Sequence, residues 1–263
     1  MSNNGLLIIG APRSGTTLLA SMIGAHPETA ITIEDLGHGA RFISGASIWG
    51  NKLCVPNQIR LSPRPESRGL LTRVEDAIRA FVGQPRHRGL PREHDPAYYN
   101  PPPHRQTTIR TYLEEWDTRL IAILRSPNQS IDSMLRRGQV VVRDKDRSPE
   151  VIAKDRWARA TRTIYRCLRE YEDRTLVMSF SSLVKTPEAQ MERASKHLGI
   201  EMHPSMLQGF QHTPQYSERR IDPSKADRKT PDYDIESHDS KSALMYDEII
   251  KELKHSTSLK NQV

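Results

Sequence analysis

The chain has 263 residues, with 39 lysines and arginines against 32 aspartates and glutamates, a net charge of +7. That length suits one sizeable α/β domain carrying an elaborate insertion, and the basic balance favours anionic partners such as nucleotides, acidic glycans or a charged membrane surface. An aromatic content of 6% argues against a base-stacking nucleic-acid surface, and two cysteines without a CxxC pair argue against a structural zinc site or redox motif.

Gly5-Leu6-Leu7-Ile8-Ile9-Gly10 is a short apolar run of the kind that forms a buried parallel strand. A loop follows, and Thr16 to Ala25 shows helical spacing with Leu18, Leu19, Met22 and Ile23 on one side. His26-Pro27 ends that helix, because the residue before a proline disfavours helical dihedrals. Ala30 to Ile33 reads as a second strand leading to Glu34 and Asp35. From about 50 to 105 the chain becomes rich in proline and arginine. Only Leu70 to Val82 has helical periodicity there, so the segment is expected to be an insertion shaping a binding site and not part of the core.

Leu120 to Leu124 is the clearest later strand. Pro127 opens a helix to about Arg137, with Gly138 as its C-terminal stop. Pro149 to Tyr171 is a long amphipathic helix with Trp157, Ala160, Ile164, Leu168 and Tyr171 in one stripe. Thr175 to Phe180 reads as a strand and Pro187 to Leu198 as a helix stopped at Gly199. Residues 212–242 are polar and proline-bearing, an expected loop or lid, before a short helix from Ser242 to Leu253. The alternation predicts an α/β three-layer sandwich of the P-loop-like kind, with a central parallel sheet, helices on both faces and residues 1–263 in one domain. No run approaches the roughly 20 apolar residues of a membrane helix and no signal-like start is present, so no transmembrane segment is expected and a cytoplasmic location is.

Gly10-Ala11-Pro12-Arg13-Ser14-Gly15-Thr16-Thr17 follows a strand and opens a helix. Such a loop aims backbone N–H groups at one point, backed by the positive end of the helix, and forms a seat for phosphate or sulfate oxygens. The spacing is that of a P-loop except that Thr16 holds the lysine position, which leaves Arg13 as the evident cation. Further along, Arg125 ends the Leu120–Leu124 strand, and Ser133 and Arg137 share one face of the next helix. Two cations and a hydroxyl make a clamp for a dianionic phosphate.

Pro12-Arg13-Ser14-Gly15-Thr16-Thr17-Leu18 resembles the 5′-phosphosulfate loop of sulfotransferases that use 3′-phosphoadenosine-5′-phosphosulfate (PAPS), and Gly10 to Asp35 is similar to the start of protein-tyrosine sulfotransferases and bacterial relatives. The resemblance implies that Arg13, Ser14, Gly15, Thr16 and Thr17 hold the 5′-phosphosulfate, with Arg13 also catalytic. It implies that Arg125, Ser133 and Arg137 hold the 3′-phosphate, since Ser130 to Arg137 looks like the matching run in those enzymes. Residues 178–200 resemble a later family stretch, but Phe180 stands where relatives carry a tyrosine near the adenine; it can pack on the base without a hydroxyl contact. The expected reaction moves a sulfonate from PAPS to a hydroxyl of a small-molecule or carbohydrate acceptor, releasing adenosine 3′,5′-bisphosphate (PAP) and needing no metal. Glu34, at the end of the second strand, is the expected general base, with Asp35 as its fallback and His26 as a weaker candidate. Lys225, Arg228 and Lys229 lie where the family places a basic loop over the 3′-phosphate. The arginine-rich segment suggests an anionic or polyhydroxylated acceptor, a glycan among them. A P-loop kinase or NTPase, and a non-catalytic nucleotide-binding protein, stand as alternatives; the missing lysine and the strand ending in Arg125, not aspartate, weigh against the first.

Overall fold

The computed structural model describes residues 4–43, 45–63, 107–138, 140, 147–212 and 221–258. Five parallel strands form one sheet in the order β2-β3-β1-β4-β5. They are β1 (Asn4–Gly10), β2 (Thr29–Ile33), β3 (Ile48–Cys54), β4 (Thr118–Leu124) and β5 (Thr175–Ser179). Along each central strand alternate side chains enter opposite layers, as the two-residue strand period requires. Leu120, Ala122 and Leu124 of β4 join one core cluster, and Ile121 and Ile123 join the other.

Helices cover both faces. One face carries α2 (Pro127–Arg136), α3 (Pro149–Glu170) and α6 (Ile235–Ser258), whose Ile131, Met134, Trp157, Ile164 and Ile249 pack with Leu7 and Ile9. The other carries α1 (Thr16–Gly24), α4 (Phe180–Lys185) and α5 (Pro187–Leu198), whose Leu19, Met22, Leu183 and Met191 pack with Leu6 and Ile8. Pro127, Pro149 and Pro187 each occupy the first turn of a helix, where the missing N–H removes no hydrogen bond. The expected α/β three-layer architecture is therefore the one observed.

Three expectations need revision. The segment set apart at about 50–105 overlaps the core: Ile48–Cys54 is β3, hydrogen-bonded between β1 and β2 and buried throughout. Ile59 and Leu61 are buried too. The interruption Gly50-Asn51-Lys52 had masked an apolar strand pattern. The helix expected at Leu70 to Val82, and the arginines from Arg64 to Arg92, lie outside the described residues. Phe180 opens the short helix α4 instead of closing β5, because Ser179 caps that helix by accepting a hydrogen bond from the Ser182 N–H. Finally, α6 begins at Ile235, seven residues before the expected start, and is kinked at Asp239. Residues 221–234 precede it as a strap, while residues 213–220 of the expected lid lie outside the described set.

The strand order reverses direction at the boundary between β1 and β4: the chain leaves β1 toward β2 and leaves β4 toward β5. Ligands of open α/β sheets bind beyond the carboxyl ends of the strands at such a reversal. The loop carrying Arg13 and the residue Arg125 both emerge there.

Candidate active site

The loop after β1 is built around two glycines. A Cβ on Gly10 would lie 2.4 Å from the Ser14 hydroxyl and 2.8 Å from the Ile123 carbonyl oxygen. Gly15 has φ +99°, and a Cβ there would sit 2.6 Å from the Phe180 ring. Arg13 itself adopts a left-handed φ of 68°, sparsely populated for a residue with a side chain. Ser14 folds the loop inward: its N–H and its hydroxyl both donate to the Ala11 carbonyl, at 3.1 and 2.7 Å. Ser14 thus braces the loop and offers a ligand only its backbone. No side chain caps α1, so the amides of Gly15, Thr16 and Thr17 open the helix toward the crevice. The Thr16 side chain is buried and hydrogen-bonds to Cys54 of β3.

The second motif closes on the first. Arg13 Nε donates to Ser133 Oγ at 3.3 Å, and an Arg125 Nη1 N–H donates to the Arg13 carbonyl at 3.2 Å. Arg125 is further fixed by its Nε donating to Gln129 Oε1 at 3.1 Å, and its guanidinium lies 4.2 Å from the centroid of the Phe180 ring. Burial, followed by the charges of Arg13, Arg228 and Arg136, pushes the Arg125 pKa down to about 10. Burial and then Arg137 lower that of Arg13. Arg136 is paired with Asp132 at 2.7 Å. Arg13, Arg125 and Arg137 have no carboxylate partner among the described residues. Arg13 and Arg125, partly buried and mutually repelling, together with the exposed Arg137 make a ready counterpart for phosphate or sulfate oxygens. Phosphate loop and clamp are thus contiguous.

Phe180, expected against an adenine ring, is only 5% exposed and is wedged between Gly15 and Arg125. Its observed role is to support those two residues. The strap at 221–234 is tied to the same corner. Gln129 Nε2 donates to the carbonyls of Ala226 and Arg228, at 2.8 and 3.3 Å, and Asn128 accepts from the Tyr233 N–H. Of the strap cations expected near the clamp, Arg228 lowers the Arg125 pKa through its charge.

Glu34 stands at the carboxyl end of β2 with a left-handed φ of 60°. Its partner was not foreseen. Lys52 of β3, 1% exposed, places Nζ 2.5 Å from Glu34 Oε1 and 3.5 Å from Cys54 Sγ. Burial raises the Glu34 pKa, but the Lys52 charge and hydrogen bond outweigh that and hold the carboxyl below its ordinary value. Burial also works against the Lys52 ammonium, and the charges of Cys54 and Glu34 more than offset it. Since burial pushes the Cys54 thiol up, Cys54 is neutral at pH 7, and Glu34 is the partner that keeps Lys52 charged. Cys54 touches both Glu34, at 3.9 Å, and Thr16, so carboxylate and phosphate loop meet through one residue. A lysine among the buried residues of a strand was the available signal for Lys52. The fallback Asp35 is spent on structure, accepting hydrogen bonds from the N–H groups of Gly37, Gly39 and Ala40. His26 is likewise committed: one ring nitrogen contacts the Glu201 carbonyl at 3.0 Å and the other accepts from the Glu28 N–H.

The chain resembles known proteins in sequence and in fold. Residues 5–53, covering the loop, Glu34 and Lys52, match the family model described as Sulfotransferase family. Protein-tyrosine sulfotransferase 1 of Danio rerio is 28% identical over 207 residues, covering 77% of this chain and 55% of its own. The chain therefore spans about half the length of that curated relative. Among solved structures, the sulfotransferase domain of the Synechococcus PCC 7002 olefin synthase superposes with a TM-score of 0.55 at 18% identity, with 95% of each chain covered. The sulfotransferase domain from the curacin biosynthetic pathway gives 0.52 at 21% identity, covering 90% of this chain and 98% of its own. Those two likenesses establish the shared fold, and the matched stretch and the curated relative show a sequence likeness to sulfotransferases that is centred on the glycine loop.

Proposed function

We propose that the protein transfers a sulfonate group from PAPS to a hydroxyl of an acceptor, with Glu34 as general base. The observation that carries this reading is the meeting of Arg13 with Ser133, and of Arg125 with the Arg13 carbonyl, at the carboxyl ends of β1 and β4. One crevice then offers helix-terminal amides beside the guanidiniums of Arg13 and Arg125, which have no carboxylate partner among the described residues, and this suits a nucleotide bearing a 5′-phosphosulfate and a 3′-phosphate.

When bound, the donor supplies an already activated sulfonate. The chain's own residues do the rest. The amides of Gly15, Thr16 and Thr17 and the Arg13 guanidinium take up negative charge on the transferring group and its leaving phosphate. Arg125, Ser133 and Arg137 fix the 3′-phosphate and so orient the donor. Glu34 accepts the acceptor's proton at its carboxylate. Lys52 contacts that carboxylate at Oε1, and its charge and hydrogen bond lower the carboxyl pKa.

We further propose a small-molecule or carbohydrate hydroxyl as acceptor, an anionic or polyhydroxylated one, from the arginine-rich composition of residues 50–105. The likeness to protein-tyrosine sulfotransferase 1 supports a second reading, the phenolic hydroxyl of a tyrosine. Labelled PAPS offered with a panel of sugars, polar metabolites and tyrosine peptides separates the two by which product carries the label. Glu34→Gln should abolish turnover while leaving PAP affinity within a few fold. Turnover at the wild-type level in that variant removes Glu34 from the mechanism.

A further inference from the structure

Behind Glu34, on the opposite face of β3 from Lys52, lies a buried polar network outside the machinery described so far. Asn51 is completely buried and makes four hydrogen bonds. Its Oδ1 accepts from the Asp35 N–H at 3.3 Å and from Thr32 Oγ1 at 3.1 Å. Its Nδ2 donates to the Asp35 carbonyl at 2.8 Å and to the Tyr112 hydroxyl at 3.0 Å. The Asp35 N–H can only donate and its C=O only accept, so these two bonds fix the orientation of the carboxamide. The Tyr112 hydroxyl, having accepted from Asn51, contacts His38 Nδ1 at 2.9 Å. That contact ties the Tyr112 hydroxyl to both the Asn51 carboxamide and the His38 ring.

The two bonds to Asp35 matter most. Ladder pairing of β2 with β3 ends at Ile33 opposite Lys52, with the Glu34 N–H still donating to the Lys52 carbonyl at 2.8 Å. Past that point the β2 chain is gripped by a side chain instead of by backbone. The Asn51 carboxamide imitates one further rung of the ladder, taking both the N–H and the C=O of Asp35. Glu34 is caught between the last true rung and this false one, in the left-handed conformation that a glutamate does not adopt unaided.

We infer that Asn51 is a positioning residue: by clamping the main chain of Asp35 it holds Glu34 in its left-handed turn, with the carboxylate on Lys52, and Tyr112 and His38 lock the clamp's orientation. The catalytic meaning of this rests on Glu34 being the reacting carboxylate, but the clamp itself can be tested without turnover. Protein labelled with ¹³C at the glutamate carboxyls is titrated by NMR, the Glu34 resonance being assigned by its loss in Glu34→Gln. In the wild type Glu34 should titrate below the ordinary glutamate value of about 4.3. In Asn51→Ser the midpoint should rise toward that value, while PAP affinity stays within a few fold. Tyr112→Phe keeps the ring packing and removes one of the four bonds, so a smaller rise is expected; it also serves if Asn51→Ser does not fold. An unchanged Glu34 midpoint in every variant that folds overturns the inference. Failure of the wild type to bind PAP would instead remove the sulfotransfer reading and leave the clamp decided by the titration.

Discussion

The ion pair between Lys52 and Glu34 is lopsided, and that asymmetry sets a measurable difference between its two single deletions. Lys52 is 1% exposed at the end of a central strand, whereas 41% of the Glu34 side chain is accessible. Glu34→Ala strands an ammonium in a site that water does not reach. Removing one partner of a buried pair costs about 3–5 kcal/mol, because the remaining charge is neither hydrated nor compensated. Deprotonation of Lys52 relieves part of this, so the lower end of the range is expected above pH 8. Lys52→Met replaces the ammonium by an apolar chain of similar length and leaves Glu34, already in contact with solvent, to be hydrated. Its expected cost is within about 1 kcal/mol, since a hydrophobic replacement at a buried ionic site is often neutral. Urea unfolding at pH 7 measures both. For a chain of this size the Glu34→Ala deficit corresponds to a fall in melting temperature of roughly 6–20 °C. A Lys52→Met variant destabilised as much as Glu34→Ala refutes the reasoning, because it would mean that the ammonium and not the carboxylate is the hydrated member.

Truncating Arg13 or Arg125 to Ala should weaken PAP binding by about 30-fold or more and flatten its salt dependence, as loss of a charge-assisted contact costs 2 kcal/mol or above. Ser133→Ala should weaken it only about fivefold, and calorimetry at two salt concentrations separates these outcomes. His38 gives a pH prediction. Burial, opposed by Asp35 and assisted by Arg41, pushes its pKa down to about 4. A depressed pKa means that the unfolded chain binds the proton first, so this contribution is complete above about 6.5 and is lost as pH falls toward 4. At most about 3 kcal/mol is involved. His38→Asn places Oδ1 where Nδ1 was and tolerates the left-handed backbone, so unfolding curves between pH 4 and 7 should lose this part of their slope in the variant.

The parts legible in the sequence are those whose logic is local. β1, its glycine loop and α1 are contiguous, and strand, turn and helix signals agree with one another there. The same holds for β4 with the proline that opens α2, and for the stripe of α3 that packs Trp157 and Ile164. What escaped is non-local. β3 is flanked by two strands and buried, yet its centre reads Gly50-Asn51-Lys52, which breaks both the apolar run and the alternation. Each of those residues answers to a partner far along the chain. Gly50 gives way to Ile31, whose methyl would lie 2.4 Å from a Cβ there; Asn51 grips Asp35; and Lys52 meets Glu34. Polar residues within a strand lower its local score for the same reason that they mark the site. Phe180 misled in a different way. The resemblance suggested a base-stacking ring, while the geometry gives it the underside of Gly15 and Arg125.

The hydrogen bond from Arg125 to the Arg13 carbonyl joins residues 112 positions apart. During synthesis the glycine loop leaves the ribosome long before the arginine that pins its backbone. An emerging chain that already holds β1, β2 and β3 still lacks that anchor and the Ser133 hydroxyl. On the proposed function, competence to capture nucleotide therefore arrives late and all at once, when β4 slots in beside β1, and no shorter N-terminal fragment should inherit a weaker version of it.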